Sequence, residues 1–135
     1  MIGIVDYGMG NLLSVYHAVE MVGETPQIVR DPKDLAHADR IILPGVGAFR
    51  DCVQNLRKLG FVEALEEQVL DAKKPILGVC LGMQAMARRG YENGEWDGLG
   101  WFDADVVRLE PATTGLRVPQ IGWNEVRYRK PSPRD

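Results

Sequence analysis

Pro75-Ile-Leu-Gly-Val-Cys-Leu-Gly-Met-Gln84 is the stretch whose reading decides the fold of this chain. Its first half, Pro75 to Val79, is short, apolar and led by a proline, the pattern of a buried parallel strand, whereas Leu81 to Ala87 has the composition of a helix. Cys80 stands at the join. Gly78 and Gly82 flank it at minus two and plus two, the spacing of a nucleophile elbow, a strand-to-helix turn so tight that its neighbours must be minimal. A thiol held there points away from the sheet and sits at a helix N-terminus, whose partial positive charge favours thiolate and can draw the pKa below the usual value of about 8.5. Such a cysteine is a nucleophile at neutral pH. A free cysteine is more commonly a small buried apolar residue, but both glycines coincide with the strand-to-helix switch, and that favours the reactive reading.

Working outward, Ile2 to Val5 reads as a first buried strand, with Asp6-Tyr-Gly-Met-Gly-Asn11 as a glycine-rich loop at its carboxyl end. A helix is predicted from Leu12 to Val22, with Leu12, Val15, Val19 and Val22 as its apolar stripe. His17 lies about 200° round from Val15 at 100° per residue, which makes it a surface histidine. Gln27 to Val29 reads as a second strand. Asp31 to Asp39 reads as a brief polar helix and connector carrying His37, again a surface residue. Arg40 to Leu43 is a third strand, closed by the turn Pro44-Gly-Val-Gly47. Helices are predicted over Asp51–Leu59 and Phe61–Ala72, the second with Phe61, Ala64, Leu65 and Val69 on one face. Beyond the elbow comes a glycine-rich surface segment with Gly90, Gly94, Gly98 and Gly100, then strands at about 101–109 and 120–128. The polar tail 129–135 reads as a loop.

Strand and helix alternate four times before residue 90, which implies an α/β fold: a three-layer parallel sheet with helices on both faces. In such sheets functional loops lie beyond the carboxyl ends of the strands, where segments 6–11, 44–49 and 78–84 all fall. A length of 135 residues with 45% hydrophobic content suits one domain. Interspersed charges summing to −3 leave no footprint for nucleic acid or an anionic membrane. The two cysteines, without a signal-peptide pattern, point to a reducing compartment, and no apolar run approaches the roughly 20 residues of a membrane span. A soluble, cytoplasmic protein is expected.

A thiol attacking a carbonyl needs donors aimed at the oxygen that becomes negative, and losing one typically costs about 3 kcal/mol of barrier. The elbow offers the backbone N–H of Leu81, and the Gly45-Val46-Gly47 turn can offer a second donor because its glycines let a peptide plane face a neighbouring site.

Four motifs then converge: Gly78-Val-Cys-Leu-Gly-Met-Gln84, Pro44-Gly-Val-Gly47, Asp6-Tyr-Gly-Met-Gly-Asn11 and Val118-Pro-Gln-Ile-Gly-Trp-Asn124. Together they closely resemble the glutamine amidotransferase subunits of imidazole glycerol phosphate synthase, within the class-I glutamine amidotransferases and their flavodoxin-like fold. The first motif is general to that class, and the other three, in this order and spacing, are specific to the subunit and its near relatives. The resemblance implies hydrolysis of glutamine to glutamate and ammonia, with ammonia passed to a cyclase partner that builds an imidazole ring in histidine biosynthesis. It implies a heterodimer, and neither cofactor nor metal. Cys80 resembles the nucleophile that forms a glutamyl thioester. Leu81 with Gly45, Val46 and Gly47 resembles the oxyanion hole; Gly47, Gln84 and Glu92 resemble contacts to glutamine. Asn11 and Trp123 fall on the face that meets the cyclase, although without the resemblance they read as a loop cap and a core aromatic.

One departure stands against these matches. The family activates its nucleophile with a histidine in a His-x-Glu motif towards the end of the chain, and this sequence has only His17 and His37, neither in such a motif. The expectation is a single amidotransferase domain over 1–135, incomplete at its C-terminus and inactive alone. A protein that has naturally lost its base is the other reading, and it leads to a non-catalytic docking or regulatory subunit. An amidotransferase subunit for sugar amidation in surface-polysaccharide synthesis shares every motif and also stays open.

Overall fold

The computed structural model describes residues 1–110, 115, 117–119 and 121–127. The segment 129–135, read above as a loop, and Gln120 and Tyr128 at the ends of the last expected strand lie outside them. Strands β1 (Ile2–Val5), β2 (Pro26–Val29), β3 (Arg40–Leu43) and β4 (Ile76–Gly78) form one sheet in the order β2-β1-β3-β4, every neighbouring pair parallel. The order reverses direction between β1 and β3. In an open α/β sheet, that is where a crevice forms beyond the carboxyl ends of the strands.

Alternation along each strand assigns its side chains to two layers. Ile4 and Ile42 face helix α1 (Leu12–Met21), where they pack with Val19 and, at the rim, with Ile2, Leu12, Val15 and Tyr16. One residue along, Val5, Ile41 and Leu43 face the opposite way. They join Phe49, Val53 and Leu56 of helix α2 (Phe49–Lys58), Phe61 and Leu65 of helix α3 (Phe61–Leu65), and Leu35 of a 3-10 turn, Pro32–His37. Removing one such side chain from water contributes roughly 1.5–3 kcal/mol, so the α2/α3 layer, with most of the fully buried residues, carries most of the core energy. The α1 layer is thin: Val19 is the one fully buried residue of its helix. The predicted stripe stops there, because Val22 caps the helix, the chain turns at Gly23 (φ +81°), and Val22 is left in solvent.

Several expectations need correction. The second predicted helix is α only to Leu65 and continues as a π turn over Glu66–Asp71. The elbow helix, α4 (Leu81–Ala85), ends before Ala87, and Ala87–Gly90 is strand β5. β5 is the centre of a second sheet, antiparallel to β6 (Trp96–Asp97) and parallel to β7 (Phe102–Val106). Ala-Arg-Arg-Gly has no strong helical or extended preference, so tertiary pairing decides. Arg88 reaches Asp103 and Asp105, Arg89 reaches Glu95 and Asp97, and Gly90 lies so close under the Phe49 ring that a Cβ there would be 2.5 Å from it. β4 is not buried as expected. It is the edge of the first sheet among the described residues, and Leu77 is 59% exposed because α1 covers β1 and β3 instead. The strand expected over 120–128 is not formed by the described residues 121–127.

Candidate active site

The loops after β1, β3 and β4 meet at one end of the first sheet. Cys80 links β4 to α4 with φ 53° and ψ −115°, and its side chain is exposed. A non-glycine residue at positive φ costs on the order of 1–3 kcal/mol and persists only where surrounding contacts over-determine it. Here they do. Val79 N–H donates to Leu43 O (2.9 Å), Gly82 N–H to Val79 O (3.1 Å) and Gln84 N–H to Cys80 O (3.1 Å). The flanking glycines are sterically required: a Cβ on Gly78 would lie 2.5 Å from Met83 Cα, and one on Gly82 only 1.9 Å from Leu43 O. The elbow inferred from spacing is therefore present, pressed against the end of β3.

The predicted oxyanion donors are in a different arrangement. Leu81 N–H donates to Gly45 O at 3.3 Å, so the turn supplies an acceptor to the elbow where a second donor was expected. The first amides of a helix lack intrahelical acceptors, and the Gly45 carbonyl satisfies this one. In this conformation the Leu81 amide is therefore not free to bind an oxyanion. Gly45 is buried and closely packed, since a Cβ on it would meet Tyr7 Oη at 2.6 Å, Gly82 N at 2.7 Å and Leu81 Cβ at 2.9 Å. Val46 is exposed, and Gly47 (φ +111°) uses a conformation that favours glycine.

A cleft of about 620 Å³ brings Gly47, Cys80, Leu81, Gln84 and Glu92 together, a size suited to a small ligand. Glu92 also has a structural task. Its Oε2 accepts from Phe49 N–H at 2.9 Å, capping α2, whose N-cap residue Ala48 has no side chain able to do so. Sequence reasoning missed a wall of the cleft to which Tyr91, Arg108, Val118 and Pro119 contribute. Val118 and Pro119 belong to the 118–124 motif, from which only Trp123 was singled out, and that for the face meeting the cyclase.

Asn11 and Trp123 do not line the cleft. Asn11 Oδ1 accepts from Ser14 N–H (3.4 Å) as the N-cap of α1, the loop-cap reading, while its side chain stays exposed. Trp123 is fully exposed, not a core aromatic. His17 pairs with Glu20 on the outer side of α1, His37 is exposed, and neither lines the cleft.

The two thiols differ sharply. Cys52 is wholly buried and its thiol is pushed up to about 11 by burial, partly offset by its hydrogen bond with Tyr7. The Tyr7 hydroxyl is also raised, by burial first and then by Cys52.

The model of the glutamine amidotransferase class-I family matches residues 3–119. The chain belongs to the class-I glutamine amidotransferase family. It is 50% identical over 133 residues to the imidazole glycerol phosphate synthase subunit HisH 1 of Campylobacter jejuni subsp. jejuni serotype O:23/36 (strain 81-176), covering 98% of this chain and 66% of that protein. It is 46% identical to the subunit HisH of Carboxydothermus hydrogenoformans, covering 91% of this chain and 60% of the relative. The corresponding protein of Brucella suis biovar 1 is 42% identical, with 98% and 64% covered. This amidotransferase chain thus spans a little under two thirds of the length of these curated relatives. A solved structure described as a glutamine amidotransferase superposes with a TM-score of 0.64 at 20% identity, over 77% of this chain and 54% of that one, which establishes the shared fold.

Proposed function

We propose that this chain carries the nucleophile and glutamine cleft of a glutaminase that hydrolyses glutamine to glutamate and ammonia, passing ammonia to a cyclase partner that makes imidazole glycerol phosphate in the cytoplasm. The observation that carries the reading is Cys80, exposed at positive φ between two obligatory glycines, in one cleft with Gly47, Gln84 and Glu92. In the first step the Cys80 Sγ thiolate attacks the carboxamide carbon of glutamine. The tetrahedral oxyanion collapses to a thioester and ammonia leaves with an added proton; water then releases glutamate and frees the thiolate. For Leu81 N–H to serve the oxyanion, the Gly45 carbonyl must withdraw, and turning over the Gly45–Val46 peptide does this while presenting Val46 N–H. Neither His17 nor His37 reaches the cleft, so proton transfer, typically worth 10²- to 10⁴-fold, has no histidine among the described residues to perform it. Acylation without steady turnover is the behaviour expected of these 135 residues by themselves.

Docking to the cyclase is assigned to the exposed Asn11 and Trp123. Ile121 and Val126, exposed and close to Trp123 in sequence, support an apolar contact there. That neither His17 nor His37 lines the cleft is the observation that favours a non-catalytic docking subunit. A single experiment separates the two readings. Treated at neutral pH with 6-diazo-5-oxonorleucine, a glutamine-shaped electrophile, the chain should be labelled on Cys80 far ahead of Cys52, by peptide mass mapping. No labelling, or labelling that free glutamine does not slow, would remove the glutaminase reading and leave the docking one.

A further inference from the structure

Tyr7 lies in the glycine-rich loop after β1, yet its side chain is turned into the core and buried to 1% exposure. Its hydroxyl donates to Pro44 O at 2.8 Å and stands 3.3 Å from Cys52 Sγ. A phenol has one proton to give. With that proton directed at the Pro44 carbonyl, the contact with Cys52 is S–H to oxygen, giving a directed chain from the Cys52 thiol through the Tyr7 hydroxyl to Pro44. The backbone of Tyr7 is held from the same helix, since Asn55 Nδ2 donates to Tyr7 O at 3.3 Å. Helix α2 therefore grips Tyr7 at both ends, and Tyr7 grips the turn.

We infer that Tyr7 is a positioning residue for the oxyanion turn: its hydroxyl pins the Pro44 carbonyl, so that rearrangement of the turn is confined to the Gly45–Val46 peptide. The inference deepens the glutaminase reading and rests on it. The Pro44 carbonyl is oriented by the ψ of Pro44, the Gly45 carbonyl by the ψ of Gly45. Tyr7 fixes the first and leaves the second free. Gly45 is where this matters, because the Tyr7 hydroxyl and the elbow amide Gly82 N enclose it so closely that no Cβ fits. Without the pin, Pro44 rotates as well, and the turn spreads over arrangements in which neither the Leu81 nor the Val46 amide is aimed at the reacting oxygen.

The test uses the full chain and Tyr7→Phe, which keeps the ring and removes only the hydroxyl. The probe is γ-glutamyl-p-nitroanilide: a carbon–sulfur bond forms at Cys80, the anilide carbon–nitrogen bond breaks, and p-nitroaniline departs with the proton taken from solvent. It is a weak base, so the step makes little demand on a general acid. Tyr7→Phe should slow this single burst about tenfold, the loss expected for one net hydrogen bond, with the half-saturating probe concentration unchanged. Alkylation of Cys80 by iodoacetamide develops no oxyanion and should keep its rate. Hydrogen exchange gives a substrate-free readout: the Leu81 amide should exchange about tenfold faster in Tyr7→Phe, while the Ile4 and Ile42 amides in the sheet keep their rates. An unchanged burst and unchanged Leu81 exchange would overturn the inference, as would a parallel loss of iodoacetamide reactivity, which would mark Tyr7 as general scaffolding. A wild-type chain that releases no p-nitroaniline overturns the glutaminase reading instead, and the Leu81 exchange then decides whether Tyr7 pins the turn.

Discussion

Raising the pH should destabilise this protein through two neighbouring groups, Cys52 and Tyr7. Burial holds the Cys52 thiol neutral up to about 11, against an ordinary value of 9.0. The folded value is the raised one, so the stabilisation is complete below pH 9, where thiols are protonated in both states, and is lost as the pH climbs through 11. Each pH unit of that window is worth about 1.4 kcal/mol, so Cys52 alone withdraws about 3 kcal/mol by the top of it. Tyr7 shifts in the same direction from its ordinary value of 10.0, so above pH 10 the two losses run together and the slope roughly doubles. The combined loss by pH 11 is about 3 to 4 kcal/mol, a large share of the 5–15 kcal/mol typical of a folded domain. Urea denaturation at stepped pH from 7.5 to 11 measures it, with Cys52→Ala as the comparison. The variant loses about 1 kcal/mol at neutral pH from the vacated volume, but it lacks the thiol's loss of about 1.4 kcal/mol per pH unit, so the two curves should close above pH 9 and cross at about pH 10. Curves that stay parallel over that window would refute the assignment of the loss to the buried thiol.

Gly82→Ala drives a Cβ into the Leu43 carbonyl, a backbone atom that cannot swing aside, and should cost at least about 3 kcal/mol in thermal or chemical unfolding. A cost below 1 kcal/mol would show that the elbow can move away from β3. Glu92→Ala removes the cap on Phe49 N–H and should lower stability by about 1 kcal/mol, with Glu92→Gln recovering most of it; equal losses in both would place the effect in charge and not in the hydrogen bond. Trp123→Ala should weaken association with a cyclase subunit by about 2 kcal/mol or more while the melting temperature stays put, since the ring touches solvent only. An unchanged dissociation constant by titration calorimetry removes Trp123 from the interface.

What the sequence disclosed follows the reach of each signal. Ile2 to Val5 and Arg40 to Leu43 are recognisable because strand alternation and apolar runs are local, and both strands begin and end where read. The elbow was legible because its two glycines answer a steric demand within five consecutive residues, 78–82. Ala87 to Gly90 was not, because what makes it a strand is the ladder to Phe102–Val106 and the carboxylates of Asp103 and Asp105, all well downstream. The π turn after Leu65 has no residue signature of its own. Within the site, composition showed that the 44–47 turn could carry an amide donor. Which way its carbonyl points depends on packing between Tyr7 and Gly82, and that information lies in neither segment alone.

The thin layer over α1 has a consequence for how the molecule comes apart. A segment anchored by one fully buried side chain opens at a free energy far below that of the whole fold. Residues 12–22 should therefore be cut by a dilute protease and exchange their amides well before the first sheet does, while β1 behind them stays paired on both sides with β2 and β3. The loop 6–11 joins these unequal halves, fixed at the strand end and loosely held at the Asn11 end. A protein that settled on Asn11 would tighten the frayed end at little cost, and the nick pattern of 12–22 would report its arrival before any change in catalysis did.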